Sequence, residues 1–301
     1  MSLKDFSVRV PASTANMGPG FDSIGLALDL YLTVHVSKAA AWSVEYLTES
    51  YQSLSGTSDN LLITTIQFVA NRYSKRMPTA KLAVETDIPL SRGLGSSAAA
   101  IAAGIEIADR LLALELTTQE KLVIGTELEG HPDNISASLL GGLTISYWDG
   151  EDVAVNHITD VAIAAIILVP PAEFLTAESR GLLPKELPYT TAIRSSAAAN
   201  VFAAAVAGGD WKTAGRMMEN DEFHEPFRKS SFPNFAEIRT TCRDYGAYGS
   251  AISGAGPSLF IAIEPGRELQ LASTLKERYP HYECLITKPA ISGIQSCEKV
   301  V

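Results

Sequence analysis

Apolar and polar residues alternate through "FSVRVPAST" (Phe6–Thr14) and again through "LYLTVHVSKA" (Leu30–Ala39), the period of a half-buried strand. The segment between them, "ANMGPGFDSIGLAL", reads as a loop broken by glycine and proline. In "SDNLLITTIQFVANRYSK" the period changes: Leu62, Ile66, Val69 and Tyr73 share one helix face, with Ser58 or Asp59 available as N-cap. "TAKLAVETDIPL" alternates once more and delivers the chain to "IPLSRGLGSSAAAIAAG", from which a long helix is expected between about Ser97 and Leu114. Thr117 and Glu120 form a capping box for the next helix. "HPDNISASLLGGLTISYW" then predicts a turn, a short helix and a strand after Gly141-Gly142.

The second half opens on "VAIAAIILVP" (Val161–Pro170), a strand-length apolar run closed by proline, hence a buried strand. Helical patterns follow in "TTAIRSSAAANVFAAAVAGG", "DWKTAGRMMEN" and "PNFAEIRTTCRDYG". After them come the strand pair "GSAISGAGPSLFIAIE", the helix "ELQLASTLKERY" and a closing strand in "HYECLITKPA". Strands and helices mixed without strict βαβ alternation predict an α+β fold. A chain of 301 residues, 46% hydrophobic, is expected to form two lobes, 1–160 and 161–301.

Charge narrows the function. The 24 basic and 34 acidic residues give a formal net charge of -10, which argues against nucleic-acid binding and suits a protein acting on small molecules. Cys242, Cys284 and Cys297 are odd in number and lack metal-ligand spacing, so no disulfide framework is expected and a reducing cytoplasm is the simpler setting. No signal core and no membrane-length apolar run is read, so no membrane partner is expected.

The glycine loop raises the chemical question. A strand ending at Pro89, then Gly93-Leu94-Gly95-Ser96-Ser97, then a helix, places unpaired N–H groups and a helix dipole where an anion can sit. The Walker lysine is absent, since Ser96 and Ser97 follow Gly95. The alternative is that small residues merely let an alanine-rich helix pack tightly. In "ELEGHPDN" a carboxylate at a helix end can hold a magnesium ion, or Glu127 and Glu129 are ordinary surface charges and His131 a turn residue. "AISGAGPSLFIAI" is a hairpin whose small residues allow close approach to a ligand or to the glycine loop. Taken singly, Asp22, Arg180 and Arg228 read as surface charges.

Together and in this order, "PASTANMGPGFDSIGLAL", "PLSRGLGSSAAA" and "ISGAGPS" resemble the GHMP small-molecule kinases over nearly the whole chain. Within that family "ANMGPGFD", "EGHPDN" and "HEPFR" are most similar to the branch acting on L-homoserine. The resemblance implies an N-terminal nucleotide-binding lobe (1–160) like ribosomal protein S5 domain 2 and a ferredoxin-like C-terminal lobe (161–301). It implies an ATP- and Mg2+-dependent phosphotransferase of threonine biosynthesis, homodimeric and cytoplasmic. Carried over by residue, Pro89, Leu90, Ser91, Arg92, Gly93, Leu94, Gly95, Ser96, Ser97, Ala98 and Ala99 would wrap the ATP phosphates. Asn60 would lie near the adenine, and Ser97 and Glu129 would ligate Mg2+, Glu129 being preferred to Glu127 because it precedes Gly130. Asn16, Asp22, Asn134, Thr176, Arg180 and Arg228 would surround the substrate.

The charge inventory points the same way. An amino acid's ammonium needs a carboxylate, which Asp22 offers, and its carboxylate suits the guanidinium forks of Arg180 and Arg228. Mevalonate lacks the ammonium and galactose lacks the carboxylate. Where several GHMP kinases have an aspartate base this chain has Asn134, and an amide accepts no proton. Catalysis without a dedicated base is therefore expected, with Asp133 the rival. The alternatives are a GHMP kinase for an isoprenoid precursor and a non-catalytic ligand sensor of the same fold. A sensor would have no need of the Ser97–Glu129 pair.

Overall fold

The computed structural model describes residues 5–56, 60–172 and 176–298. Two sheets organise it. The first holds β1 (Phe6–Asn16), β2 (Gly20–Lys38), β3 (Ser43–Tyr46), β4 (Ala80–Thr86), β5 (Leu143–Trp148) and β6 (Val153–Ile158). The second is antiparallel and contains β7 (Ala164–Val169), β8 (Gly249–Ile252), β9 (Leu259–Ile263) and β10 (Glu283–Thr287), in the order β10-β7-β9-β8.

The loop expected over Ala15–Leu28 is mostly strand. β2 begins at Gly20, and only Met17-Gly18-Pro19 turn. The sequence misleads here because β2 serves three partners, pairing with β1 on one edge and with β5 and β4 on the other. Ile24–Leu26 pairs with β5, whereas Leu32–Lys38 pairs with β4, so its glycines lie within a strand covered on both edges. "HYECLITKPA" does form β10, but it is not the closing strand. β11 (Gln295–Glu298) returns to the first sheet and pairs with β1, so sheet membership does not follow a single cut near residue 160.

Four helices cover the first sheet: α1 (Leu61–Arg72), α2 (Ser96–Leu112), α3 (Thr118–Glu129) and α4 (Asp133–Leu140). Of the expected caps for α1, Ser58 and Asp59 lie outside the described residues. Asn60 caps the helix, its side chain accepting from Leu62 N at 3.0 Å. The Thr117–Glu120 capping box is present and fixes the start of α3, whose far end carries Glu129. α2 resolves the two readings of its sequence by realising both. Its body is packed, with Ala98, Ala99, Ile101, Ala102, Ala103 and Ile105 buried, while its first turn opens on a cleft.

The second sheet is buried on both faces, which is why β7 reads as an unbroken apolar run. Ala165, Ile167 and Val169 join Phe202, Trp211 and Met218 of α6 (Tyr189–Ala207) and α7 (Trp211–Met218) in the main core. Ala164, Ile166 and Leu168 face the other way, against Ile238 and Cys242 of α9 (Phe235–Asp244) and Leu271 and Leu275 of α10 (Glu268–Arg278). Because the main core also contains first-sheet residues such as Val8 and Leu26, the two sheets share one apolar core. No helix among the described residues is long and apolar enough to cross a membrane.

Candidate active site

A cleft of about 220 Å3, open to solvent, is lined by Asn16, Asp22, Ser91, Gly93, Leu94, Gly95, Ser96, Ser97, Glu129, Asn134, Arg180 and Arg228. These residues come from all the blocks singled out in the sequence. Phe21, His131, Asp133, Gly254 and Ala255 complete the wall.

One wall is the start of α2. Gly95 caps the helix in the left-handed region, and Ala99 N donates to Gly95 O at 2.9 Å. The amides of Ser96 and Ser97 precede the first intrahelical bond, so they are free to meet an anion. Ala98 and Ala99, expected to wrap the phosphates, are fully buried and do not line the cleft. Gly93 has φ +73°, and a Cβ there would lie 2.3 Å from Ser253 O and 2.7 Å from Gly256 O. The "ISGAGPS" turn thus backs the glycine loop directly, and Ser253 Oγ donates to Gly93 O at 2.6 Å. Pro89, Leu90 and Arg92 line a neighbouring cavity with Tyr51, whose hydroxyl accepts from Leu90 N at 3.3 Å. Asn60 is not among the residues lining either cavity.

Beside α2 stands the end of α3. Ser97 Oγ donates to Glu129 Oε2 at 2.9 Å. Burial pushes the Glu129 carboxyl up, against the pull of His131 and the Ser97 hydroxyl. Glu127, in contrast, is exposed and pairs with Arg72. Two oxygen donors close together, one of them a desolvated carboxylate, fit a hard divalent cation.

α4 presents the next group. Ser13 Oγ donates to Asn134 Oδ1 at 2.8 Å, and Asn134 Nδ2 approaches Asp133 Oδ1 at 3.4 Å, so both neighbours fix the amide with its nitrogen toward the carboxylate. Asp133 Oδ1 also accepts from Asn134 N at 2.7 Å and lies 2.6 Å from His131 Nδ1.

The remaining wall holds the arginines. α5 (Thr176–Gly181) carries Arg180, and α8 (Glu225–Arg228) ends on Arg228. Thr176 begins α5, but its side chain lies outside the description. Arg180 grips Asp22 with both terminal nitrogens, at 2.7 and 3.1 Å, so the two charges expected to act separately on a substrate are paired with each other. Asn16 closes the first turn, accepting from Asp22 N at 3.0 Å and donating to Gly254 O at 2.8 Å. Arg228 is 2% exposed, and its Nη1 donates to Gly254 O at 3.1 Å while its Nε has no partner. Burial first, and the Arg180 charge second, lower its pKa to about 10. Both guanidinium carbons lie within 6 Å of the Phe21 ring, at 5.7 Å for Arg180 and 5.5 Å for Arg228.

Sequence reading missed Phe21, Gly254 and His224. The spacing of His224 and Arg228 in "HEPFR", four residues apart, was the available signal.

His131 links the site to stability. Burial opposes its charging, but the Asp133 carboxylate outweighs burial and raises the imidazole pKa above 6.5. The folded state holds this proton more tightly than the unfolded chain does. The stabilisation is therefore complete below the ordinary histidine value and fades as pH rises through the folded one. Melting temperatures of the wild type and His131→Asn are expected to differ most below the ordinary histidine pKa of 6.5 and to converge as the pH rises above it. A gap that widened on the alkaline side would contradict this.

Residues 60–142 match the GHMP kinases N terminal domain, and residues 201–281 the GHMP kinases C terminal domain. A homoserine kinase of Bacillus velezensis is 43% identical over 290 residues, 96% of this chain and 94% of that protein. One of Bacillus cereus is 46% identical over 271 residues, 90% of this chain and 89% of that protein. A solved chain from Listeria monocytogenes superposes with a TM-score of 0.84 at 35% identity, covering 98% of this chain and all of that one. The homoserine kinase structure of Cytophaga hutchinsonii shares the fold, with a TM-score of 0.85 at 23% identity over 98% of both chains. With its three blocks converging on one cleft and relatives this similar over nearly its full length, the chain belongs to the GHMP kinase family, among the homoserine kinases.

Proposed function

We propose that this chain moves the γ-phosphoryl group of ATP to the side-chain hydroxyl of L-homoserine, giving ADP and O-phospho-L-homoserine, with Mg2+ at Ser97 and Glu129 and without a dedicated protein base. The observation that carries the acceptor side is the arginine pair. A buried guanidinium with an unpartnered Nε, facing a second guanidinium across Phe21, is a receptor for a small anion. An α-carboxylate fits there, and the ammonium on the same carbon would share Asp22 with Arg180. Mevalonate would bring no ammonium to Asp22, and galactose would leave Arg228 without its anion.

On the donor side, the free amides of Ser96 and Ser97 and the dipole of α2 would receive phosphate oxygens. Bound Mg2+ would offset charge on the β- and γ-phosphates. Asn60 and the Tyr51–Leu90 cavity are the candidates for the adenine end. In the transfer, the homoserine hydroxyl oxygen forms the new bond to phosphorus as the bond to the ADP oxygen breaks. Asn134 Nδ2 can only donate, so it would hold the hydroxyl oxygen and cannot take its proton. The proton would pass to the transferred phosphoryl oxygens or to water, which suits a loose transition state needing position and charge more than a base. The same reading makes the protein a cytoplasmic homodimer, as its family resemblance implies.

Coupled ADP release should be strong with homoserine and negligible with serine, threonine, mevalonate or galactose. Activity with mevalonate alone would reverse the acceptor assignment, and nucleotide binding without turnover on any of the five would revive a sensor. Glu129→Gln is expected to raise the Mg2+ concentration for half-maximal rate by about tenfold, the scale of one lost charge-assisted contact. Glu127→Gln should leave that concentration unchanged, and the opposite ranking would move the metal ligand to Glu127. The absence of a base predicts that Asp133→Asn retains measurable turnover while Asn134→Ala loses it in larger part. Abolition by Asp133→Asn beside an active Asn134→Ala would install Asp133 as the base.

A further inference from the structure

Arg228 is not left to find its own orientation. Its Nη1 lies 3.2 Å from Nδ1 of His224, and Nε2 of the same imidazole lies 3.0 Å from Gly18 O. A carbonyl only accepts and a guanidinium only donates, so one neutral tautomer satisfies both contacts: Nε2 carries the hydrogen and Nδ1 is bare. An imidazolium would set a second N–H against Arg228. Burial pushes the His224 pKa down, Asp221 resists, and the Arg228 charge lowers it further, which agrees with that neutral form.

The imidazole itself is held on every side. It is fully buried and stacks on Phe21, with centroids 5.3 Å apart and planes 23° apart. Asp221 accepts from the amides of Phe223, His224 and Glu225 at 2.8, 3.0 and 2.7 Å, which fixes the entry to α8. Glu225 pins the helix from behind, accepting from Ile252 N at 2.8 Å and pairing with Arg239 at 2.9 Å. Gly18, at the other end, has φ +84°, and a Cβ there would lie 2.1 Å from Met218 O, so the turn before Phe21 and Asp22 is seated against the end of α7.

Resting on the carboxylate reading above, we propose that His224 is a positioning residue for Arg228: its Nδ1 and the Gly254 carbonyl together hold Nη1 and so direct the rest of the guanidinium toward the substrate's carboxylate. It does so while tying α8 to the Gly18 turn. His224 touches no reacting atom, and its effect belongs to recognition of the carboxylate.

Two isosteric variants separate the halves of the imidazole. In His224→Asn the side-chain oxygen can occupy the Nδ1 position and accept from Arg228. In His224→Gln the amide nitrogen can reach the Nε2 position and donate to Gly18, leaving Arg228 without its acceptor. Steady-state kinetics with homoserine should show KM raised on the order of tenfold in His224→Gln, the scale of one hydrogen bond to a charged group. Its kcat and its KM for ATP should stay within about twofold, and His224→Asn should restore the homoserine KM to within about threefold of wild type. With 3-amino-1-propanol, which is homoserine without the carboxylate, kcat/KM should be the same in the wild type and both variants. An unchanged homoserine KM in His224→Gln, or an equal loss with both acceptors, would overturn the proposal. If His224→Gln does not fold, the Asn variant decides alone, and a raised homoserine KM in it overturns the proposal. Arg228→Ala separates the layers. A raised KM there beside an unchanged one in His224→Gln removes only the role of His224. An unchanged KM in Arg228→Ala removes the carboxylate reading and this inference with it.

Discussion

The carbonyl oxygen of Gly254 accepts from Asn16 Nδ2 at 2.8 Å and from Arg228 Nη1 at 3.1 Å, while Gly254 N donates to Ala15 O at 3.1 Å. One residue of the second sheet's hairpin thus sets the first turn, which presents Phe21 and Asp22, and the guanidinium at the end of α8. Its neighbour Ser253 donates to Gly93 O and its Oγ accepts from the Thr14 hydroxyl, which places the glycine loop in the same frame. Parts from residues 14 to 22, 93 to 97 and 228 are therefore registered to each other through a single four-residue turn. Phosphoryl transfer depends on such registration, because a displacement of about 1 Å between donor and acceptor can cost on the order of a hundredfold in rate.

The charges in the cleft sort themselves once the pairs are removed. Asp22 is taken by Arg180, and Asp133 by His131 when that imidazole is protonated. Among the described residues this leaves Glu129 and Arg228 without an ion-pair partner, and burial moves each toward its neutral form, Glu129 upward and Arg228 downward. A desolvated carboxylate gains from a cation and a desolvated guanidinium from an anion. The two unpaired groups thus stand on the donor and acceptor sides respectively, one suited to a divalent metal ion and the other to a carboxylate.

Much of this was legible in the sequence, and the failures have physical causes. Period and capping located α1, α2, α3 and the buried strand β7, because those elements bury continuous faces. The stretch from Ala15 to Leu28 was misread because glycine and proline signal loops locally, while here they lie in a hairpin of β1 and β2 whose far edge is closed by the distant strand β5. β11 is four residues long, paired only with β1, and carries no apolar alternation to announce it. Site residues with charges were visible as types, but not their pairing. Asp22 and Arg180 are 158 residues apart in the chain, and nothing local says that they meet. Phe21 acts through ring stacking, which has no sequence signature, and His224 announces itself only by its four-residue spacing from Arg228, which says nothing of its tautomer.

The missing Walker lysine fits this distribution of charge. A lysine in the glycine loop would add a mobile point charge beside Ser97 and compete with a metal ion for Glu129. On the proposed reading the loop would instead meet anions with backbone donors whose positions are fixed from behind by Ser253 and Gly256, so no side chain need be ordered when a phosphate arrives. Fixed dipoles act without reorganisation as charge spreads over a transferring group. The cationic side chains stand at the other end of the cleft, where an acceptor's carboxylate would have to be distinguished from a plain alcohol. Backbone amides on one wall and guanidinium groups on the other would thereby take phosphate and carboxylate in different places, although both are small anions.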